Sequence, residues 1–159
     1  MNAPRTFPIL TLPIVCENGL VMDMKVANQI GLKHYENYNN QDPYPHIVCD
    51  NFLPETLAED ILTNFPERND QKIVNQSHNY KGIQQNKIQI SPYDSNEFSQ
   101  RVFNFFNSAS FIQFLEGVTG IQGLIPDPYF VGGGFHEISN GGSLKVHADF
   151  RLNEQLNLQ

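Results

Sequence analysis

Near the end of the chain a histidine and an aspartate stand two residues apart, His147 and Asp149, and this pair is the strongest candidate for chemistry in the sequence. In an extended segment side chains alternate faces, so Ser143, Lys145, His147 and Asp149 would share one side. Leu144, Val146, Ala148 and Phe150, all apolar or small, would share the other and face a core. An imidazole and a carboxylate placed in this way can both reach one cation. Their mixed nitrogen and oxygen donors suit iron(II), manganese or zinc better than calcium or magnesium. A His-x-Asp spacing also arises often by chance, and on spacing alone the plainer reading is a surface strand whose two polar side chains hydrogen-bond.

The elements that must present the pair are read from the residues before it. Gly132, Gly133 and Gly134 precede a strand over Phe135 to Ile138, and they serve backbone geometry and close approach. Asn140-Gly141-Gly142 has the chemistry of a tight turn, and Ser143 to Phe150 would return as the second strand of a hairpin. Pro126 and Pro128 exclude helix, and Tyr129 to Val131 is β-prone.

Further upstream, Phe7 to Val15 is apolar but broken by Pro8 and Pro13, and reads as an extended surface segment rather than a secretion signal. Residues 37–45 form a turn-rich loop, and His46 to Cys49 a short strand. Pro54 opens a helix carrying Leu57, Ile61, Leu62 and Phe65, which Pro66 stops. Lys87 to Ile90 alternates like a strand. Ser95 caps a helix with Phe98, Val102 and Phe105 or Phe106 on its apolar face. Ser110 and Gln113 suggest a capping box for a second helix, with Phe111, Phe114 and Leu115 in the core and Gly117 and Gly120 at its end.

With those words in place, a resemblance can be stated. The run Val131-Gly-Gly-Gly-Phe-His136, followed by Gly141-Gly-Ser-Leu-Lys-Val-His-Ala-Asp-Phe150, closely resembles the prolyl-4-hydroxylase-like branch of the iron(II)/2-oxoglutarate-dependent oxygenases. Tyr44 to Pro54 and Thr119 to Pro128 are similar to the same family's lead-in. The resemblance implies an α+β chain: N-terminal helices, then the first strands of a double-stranded β-helix, or jelly roll, left incomplete here. Residues 1–43 would be an N-terminal extension and residues 44–159 the front part of the oxygenase domain. His147 and Asp149 would be two metal ligands of a facial triad, and His136 would lie by the co-substrate.

Iron(II), 2-oxoglutarate and dioxygen are the implied cofactor and co-substrates. A C–H bond of a small-molecule or peptidyl substrate would be hydroxylated as 2-oxoglutarate goes to succinate. The family's second metal histidine and its basic residue for 2-oxoglutarate come some tens of residues later, and only ten residues follow Asp149. The chain therefore reads as a fragment of a longer protein that would not by itself turn over 2-oxoglutarate. Two other readings stay open: a non-catalytic jelly-roll binding module, and a cupin-like enzyme using manganese or zinc.

Composition narrows the partners. The 159 residues suffice for one core, and a formal charge of -7 offers no basic face for nucleic acid. No apolar run approaches the length a membrane helix needs. Cys16 and Cys49 make no disulfide framework; read as small buried residues, they suit a reducing, cytoplasmic setting.

Overall fold

The computed structural model describes residues 10–66 and 84–147. Within these the order is α1 (Met24–Asn39), α2 (Glu55–Thr63), β1 (Gln84–Ile90), a short 3-10 turn (Pro92–Asp94), α3 (Glu97–Phe106), α4 (Ala109–Thr119) and β2 (Phe135–Leu144). Two compact units result, Met1–Thr63 with Asn104–Pro126, and Asn64–Phe103 with Asp127–Gln159.

The first unit is built on a helix pair. α1 starts at Asp23, whose Oδ1 accepts the Val26 N–H at 2.9 Å and so satisfies one of the orphan donors of the first turn. Its buried residues are Ala27 and Gly31, too small to show as an apolar stripe, and so the hydrophobic pattern does not announce this helix. α4 crosses it at Gly117. A Cβ on Gly31 would lie 2.3 Å from the Phe114 carbonyl oxygen, and one on Gly117 would lie 2.7 Å from that of Asn28. Asn28 Nδ2 also donates to Gln113 O at 3.2 Å. Gly117 is thus an interior contact residue, not the helix terminator that its type suggests. The terminator is Gly120 alone, left-handed at φ 74°, with its N–H on Glu116 O.

The start of α4 also differs from expectation. Ser108, not Ser110, is the cap: its Oγ accepts the Phe111 N–H at 3.3 Å, while its own N–H donates to Phe105 O at 2.9 Å and closes the turn after α3. Gln113 makes no capping box and donates to Glu116 Oε2 at 2.7 Å. Glu116, only 6% exposed, accepts two further bonds at Oε1, from Gly123 N–H at 2.6 Å and Leu124 N–H at 2.9 Å.

Phe7 to Ile9 of the expected N-terminal segment lie outside the described residues; Leu10 to Val15 is extended, but it is not a surface strip. Leu10, Leu12 and Ile14 are buried while Thr11, Pro13 and Val15 are exposed, a strand-like alternation. Leu10 N–H donates to Asp50 O at 3.1 Å and Leu12 N–H to Phe52 O at 3.0 Å. These rungs fall on 50–52, and His46 to Cys49 form no strand; His46 instead turns its Nδ1 to Tyr44 O at 2.9 Å. α2 forms where Pro54 predicts it, the Ala58 N–H bonding Pro54 O, with Leu57 buried and Leu62 turned outward. The expected phenylalanine core is present here. Phe111 meets Phe52, Phe105, Phe106 and Phe114 at centroid distances of 4.9 to 6.4 Å.

The second unit holds a two-stranded antiparallel sheet among the described residues. Ile90 pairs with Phe135 and Ile88 with Glu137, and Ile88, Ile90 and Phe135 are buried. The rings of Phe65 and Phe103 cover Phe135 at 4.8 and 5.1 Å. α3 is capped by Asn96, whose Oδ1 accepts the Ser99 N–H at 2.8 Å. Ser95, the expected cap, closes the 3-10 turn by donating to Pro92 O at 2.6 Å. Val102 and Phe105 are the buried members of the apolar face expected for α3.

Two expectations about β structure are corrected. Tyr129 to Val131 is not extended: Asp127 accepts Tyr129 N–H at Oδ1 (2.9 Å) and Val131 N–H at Oδ2 (2.7 Å), holding the segment in turns with Phe130 at φ 50°. A carboxylate satisfying two backbone donors outweighs intrinsic β preference. Nor is there a hairpin at residues 140–142. β2 runs on to Leu144 beside β1, with Gln85 opposite Ser143 and Lys87 opposite Ile138. Residues 139–142 bulge out opposite Asn86, with Gly141 at φ 78°. The positive φ the turn chemistry predicted is used, but to kink a strand rather than reverse the chain.

Candidate metal centre

The glycine run lets β2 begin in register. Gly134 has φ 143°, and a Cβ there would sit 2.2 Å from the Ile90 carbonyl oxygen, so only a bare Cα allows Phe135 to pair with Ile90. This is the close approach expected of the triplet.

From that start, alternation places His136 and Ile138 on the outer face, opposite the phenylalanine-covered side. His136 pairs with Gln89, and Gln89 Nε2 donates to Gly133 O at 3.2 Å. Lys87 stands on the next rung of the same face, diagonal to His136. Partial burial pushes the His136 imidazole below its ordinary value, and the Lys87 ammonium pushes it the same way, against a hydrogen bond with the Gly132 backbone.

β2 ends at Leu144, so Lys145, Val146 and His147 continue outside the strand and all three are exposed. His147 Nδ1 lies 2.6 Å from Lys145 O. An imidazole that donates from Nδ1 to a carbonyl carries its lone pair on Nε2, the arrangement of a metal-binding imidazole steadied by a carbonyl. The donor therefore fits a borderline cation such as iron(II). Asp149 lies outside the described residues. Among the described residues no group of three or more His, Cys, Asp or Glu side chains is placed to hold a metal. Leu144 and Val146, expected on a core face, are instead exposed, Val146 completely.

Lys87 is the member of this surface that residue spacing did not single out. Alternation over Lys87 to Ile90 sets Lys87 and Gln89 on one side, but only the pairing with β2 brings His136 to them. His34 and His46 belong to no such group of possible metal ligands among the described residues. The cysteines depart from expectation. Both are free, but Cys16 is exposed and Cys49 only half-buried, where burial first and then Asp50 raise the thiol pKa.

No described helix is long and apolar enough to cross a membrane. No protein-family model, curated protein or solved structure matches the chain.

Proposed function

We propose that the chain carries the front part of an iron(II)- and 2-oxoglutarate-dependent oxygenase, with His147 and Asp149 as two ligands of the metal. The observation that carries this reading is the glycine-rich run from Val131 to Phe150, whose first strand pairs with β1 from a start that Gly134 makes possible. Support comes also from His147, whose Nδ1 contact with Lys145 O suits Nε2 ligation. The exposed Leu144 and Val146 offer apolar surface on which further strands would pack beside the two among the described residues. When bound, iron(II) with 2-oxoglutarate and dioxygen supplies the oxidising power for attack on a C–H bond. The residues of this chain hold and orient: His147 and Asp149 donate to the cation, and His136 lies by the co-substrate. The substrate is a small molecule or a peptidyl group, and the setting is cytoplasmic.

The test is manganese(II) titration of the 159-residue chain, followed by electron paramagnetic resonance. His147→Ala and Asp149→Ala should each weaken binding by about tenfold or more. Unchanged binding in both variants removes the pair as ligands. In the polypeptide encoded by the complete reading frame around this chain, iron-dependent succinate formation should disappear with Asp149→Ala. Metal binding without 2-oxoglutarate consumption there would instead make it a binding module, and activity with manganese or zinc alone a cupin-like enzyme.

A further inference from the structure

The dipeptide Asn-Gly occurs twice in the chain, at Asn18-Gly19 and Asn140-Gly141, and the fold treats the two differently. Asparagine is thermolabile because its side-chain amide carbon lies within reach of the next backbone nitrogen, and a glycine there puts no Cβ in the way. Asn18 is exposed, in a turn between Val15 and Val21, whose mutual N–H···O bonds of 2.8 and 3.0 Å close the loop 16–20. Gly19 stands at φ 128°, and nothing lies within 4 Å of where its Cβ would be. Among the described residues no hydrogen bond ties up the Asn18 amide or the Gly19 N–H. Asn140 is exposed too, and Gly141 also has open space around it, so access does not separate the two sites. The hold on the backbone does. One isolated bridge closes the Asn18 loop, whereas Asn140 lies inside β2. The rungs from Ile90–Phe135 to Lys87–Ile138 hold β2 on one side of it, and Gln85–Ser143 and Gln84–Leu144 on the other. Ring closure requires rotation about the asparagine Cα–C bond, and a segment held by more rungs opens for it less often.

We propose that Asn18 is a site of spontaneous deamidation, selected over Asn140 by the fold. The Gly19 backbone nitrogen attacks the Asn18 side-chain carbonyl carbon and closes a succinimide ring. The side-chain nitrogen leaves as ammonia, taking the hydrogen that the Gly19 nitrogen gives up. Water then adds to one of the two imide carbonyls, and the bond from that carbon to the ring nitrogen breaks. Opening at the side-chain carbonyl gives an aspartyl residue, and opening at the backbone carbonyl an isoaspartyl one. One water is consumed and one ammonia released, with no oxidation or reduction. Either product puts a carboxylate where a neutral amide stood, beside Glu17. The isoaspartyl form also inserts a methylene into the backbone that the Val15–Val21 bridge spans. The modified chain therefore loosens at that bridge, and the β1–β2 pair is left as it was.

This inference stands apart from the iron reading and is tested without metal. The 159-residue chain is incubated with chelator at mildly alkaline pH, folded and in urea. Both Asn-Gly peptides are then followed by mass spectrometry, with the isoaspartyl and aspartyl forms separated by chromatography. In the folded chain Asn18 should react about threefold or more faster than Asn140, as for one hydrogen bond fewer to open, and in urea the two rates should converge. Isoaspartyl and aspartyl products should appear together, at a rate that rises with pH as the Gly19 nitrogen gives up its proton more readily. Asn18→Gln should abolish the reaction there, because the longer side chain closes its ring slowly, and leave that at Asn140 unchanged. Hydrogen exchange at Val15 and Val21 should be faster in the incubated protein than in Asn18→Gln treated alike. Aspartate as the sole product would mean direct hydrolysis instead of the imide. Equal rates in the folded chain, or the same ratio folded and in urea, would mean that the loop does not select Asn18. Any of these results overturns the proposal.

Discussion

Gly31 on α1 and Gly117 on α4 touch through their backbones: a Cβ built on either would lie 3.0 Å from the Cα of the other. Each glycine costs its helix about 1 kcal/mol relative to alanine. The cost is offset because the two helices can then bury Ala27, Phe114 and Val118 around the crossing.

The sign of a substitution there is therefore predicted against helix propensity. Gly31→Ala and Gly117→Ala should each destabilise the protein by about 1–3 kcal/mol, since the added methyl meets backbone that cannot give way. Urea denaturation followed by circular dichroism measures this. A gain in stability from either alanine would show that the helices do not approach as described.

Glu116 makes a second, independent prediction. Its carboxylate holds Gly123 N–H and Leu124 N–H against the end of α4. Glu116→Ala should cost about 2–3 kcal/mol by leaving these donors unpaired, and Glu116→Gln less, because one carbonyl oxygen remains to accept. Hydrogen exchange at Gly123 and Leu124 should speed up more than at the amides of α1. Uniform acceleration across the unit would mean general unfolding instead of release of this loop.

The depressed His136 gives a pH dependence whose sign can be worked out. The unfolded chain takes up the proton near the ordinary imidazole value of 6.5, before the folded protein does. The contribution to stability is thus fully present above that value and is lost as pH falls from it through the lower folded pKa. His136→Gln should flatten this part of the stability curve, read as the urea midpoint between about pH 7.5 and pH 5. An unchanged slope would place the titrating group elsewhere.

The two thiols should react at different rates. Cys16 is exposed, whereas Cys49 is half-buried with its pKa raised by burial and by Asp50. A maleimide at mildly alkaline pH should modify Cys16 well before Cys49, as mapped by peptide mass spectrometry. Equal rates would contradict the surroundings described for Cys49.

How much of this was legible in the residues depends on range. Local signals were readable: Pro54 starts α2, Gly120 ends α4, the isoleucines of Lys87 to Ile90 alternate into a core, and the glycine triplet allows close approach. Caps were readable only to within a few residues, because Ser95 and Asn96, or Ser108 and Ser110, offer the same chemistry. The choice between them depends on which turn precedes the helix. α1 was not legible at all, since the residues it buries are Ala27 and Gly31 and their burial is defined by α4, far away in sequence.

The sequence by itself determined which residues could do chemistry and the order in which they arrive: the glycines, then His136, then His147 and Asp149. It also determined that the Asn140 to Gly142 segment can take a positive φ without strain, because glycine lacks a Cβ. Tertiary structure alone decided that this φ makes a bulge and not a hairpin, and that Lys87 comes to lie beside His136. Both outcomes depend on the pairing of β1 with β2, a register set by Ile88, Ile90 and Phe135 seeking the same core. A contact between strands so far apart in sequence leaves no periodicity in either one from which it could be read.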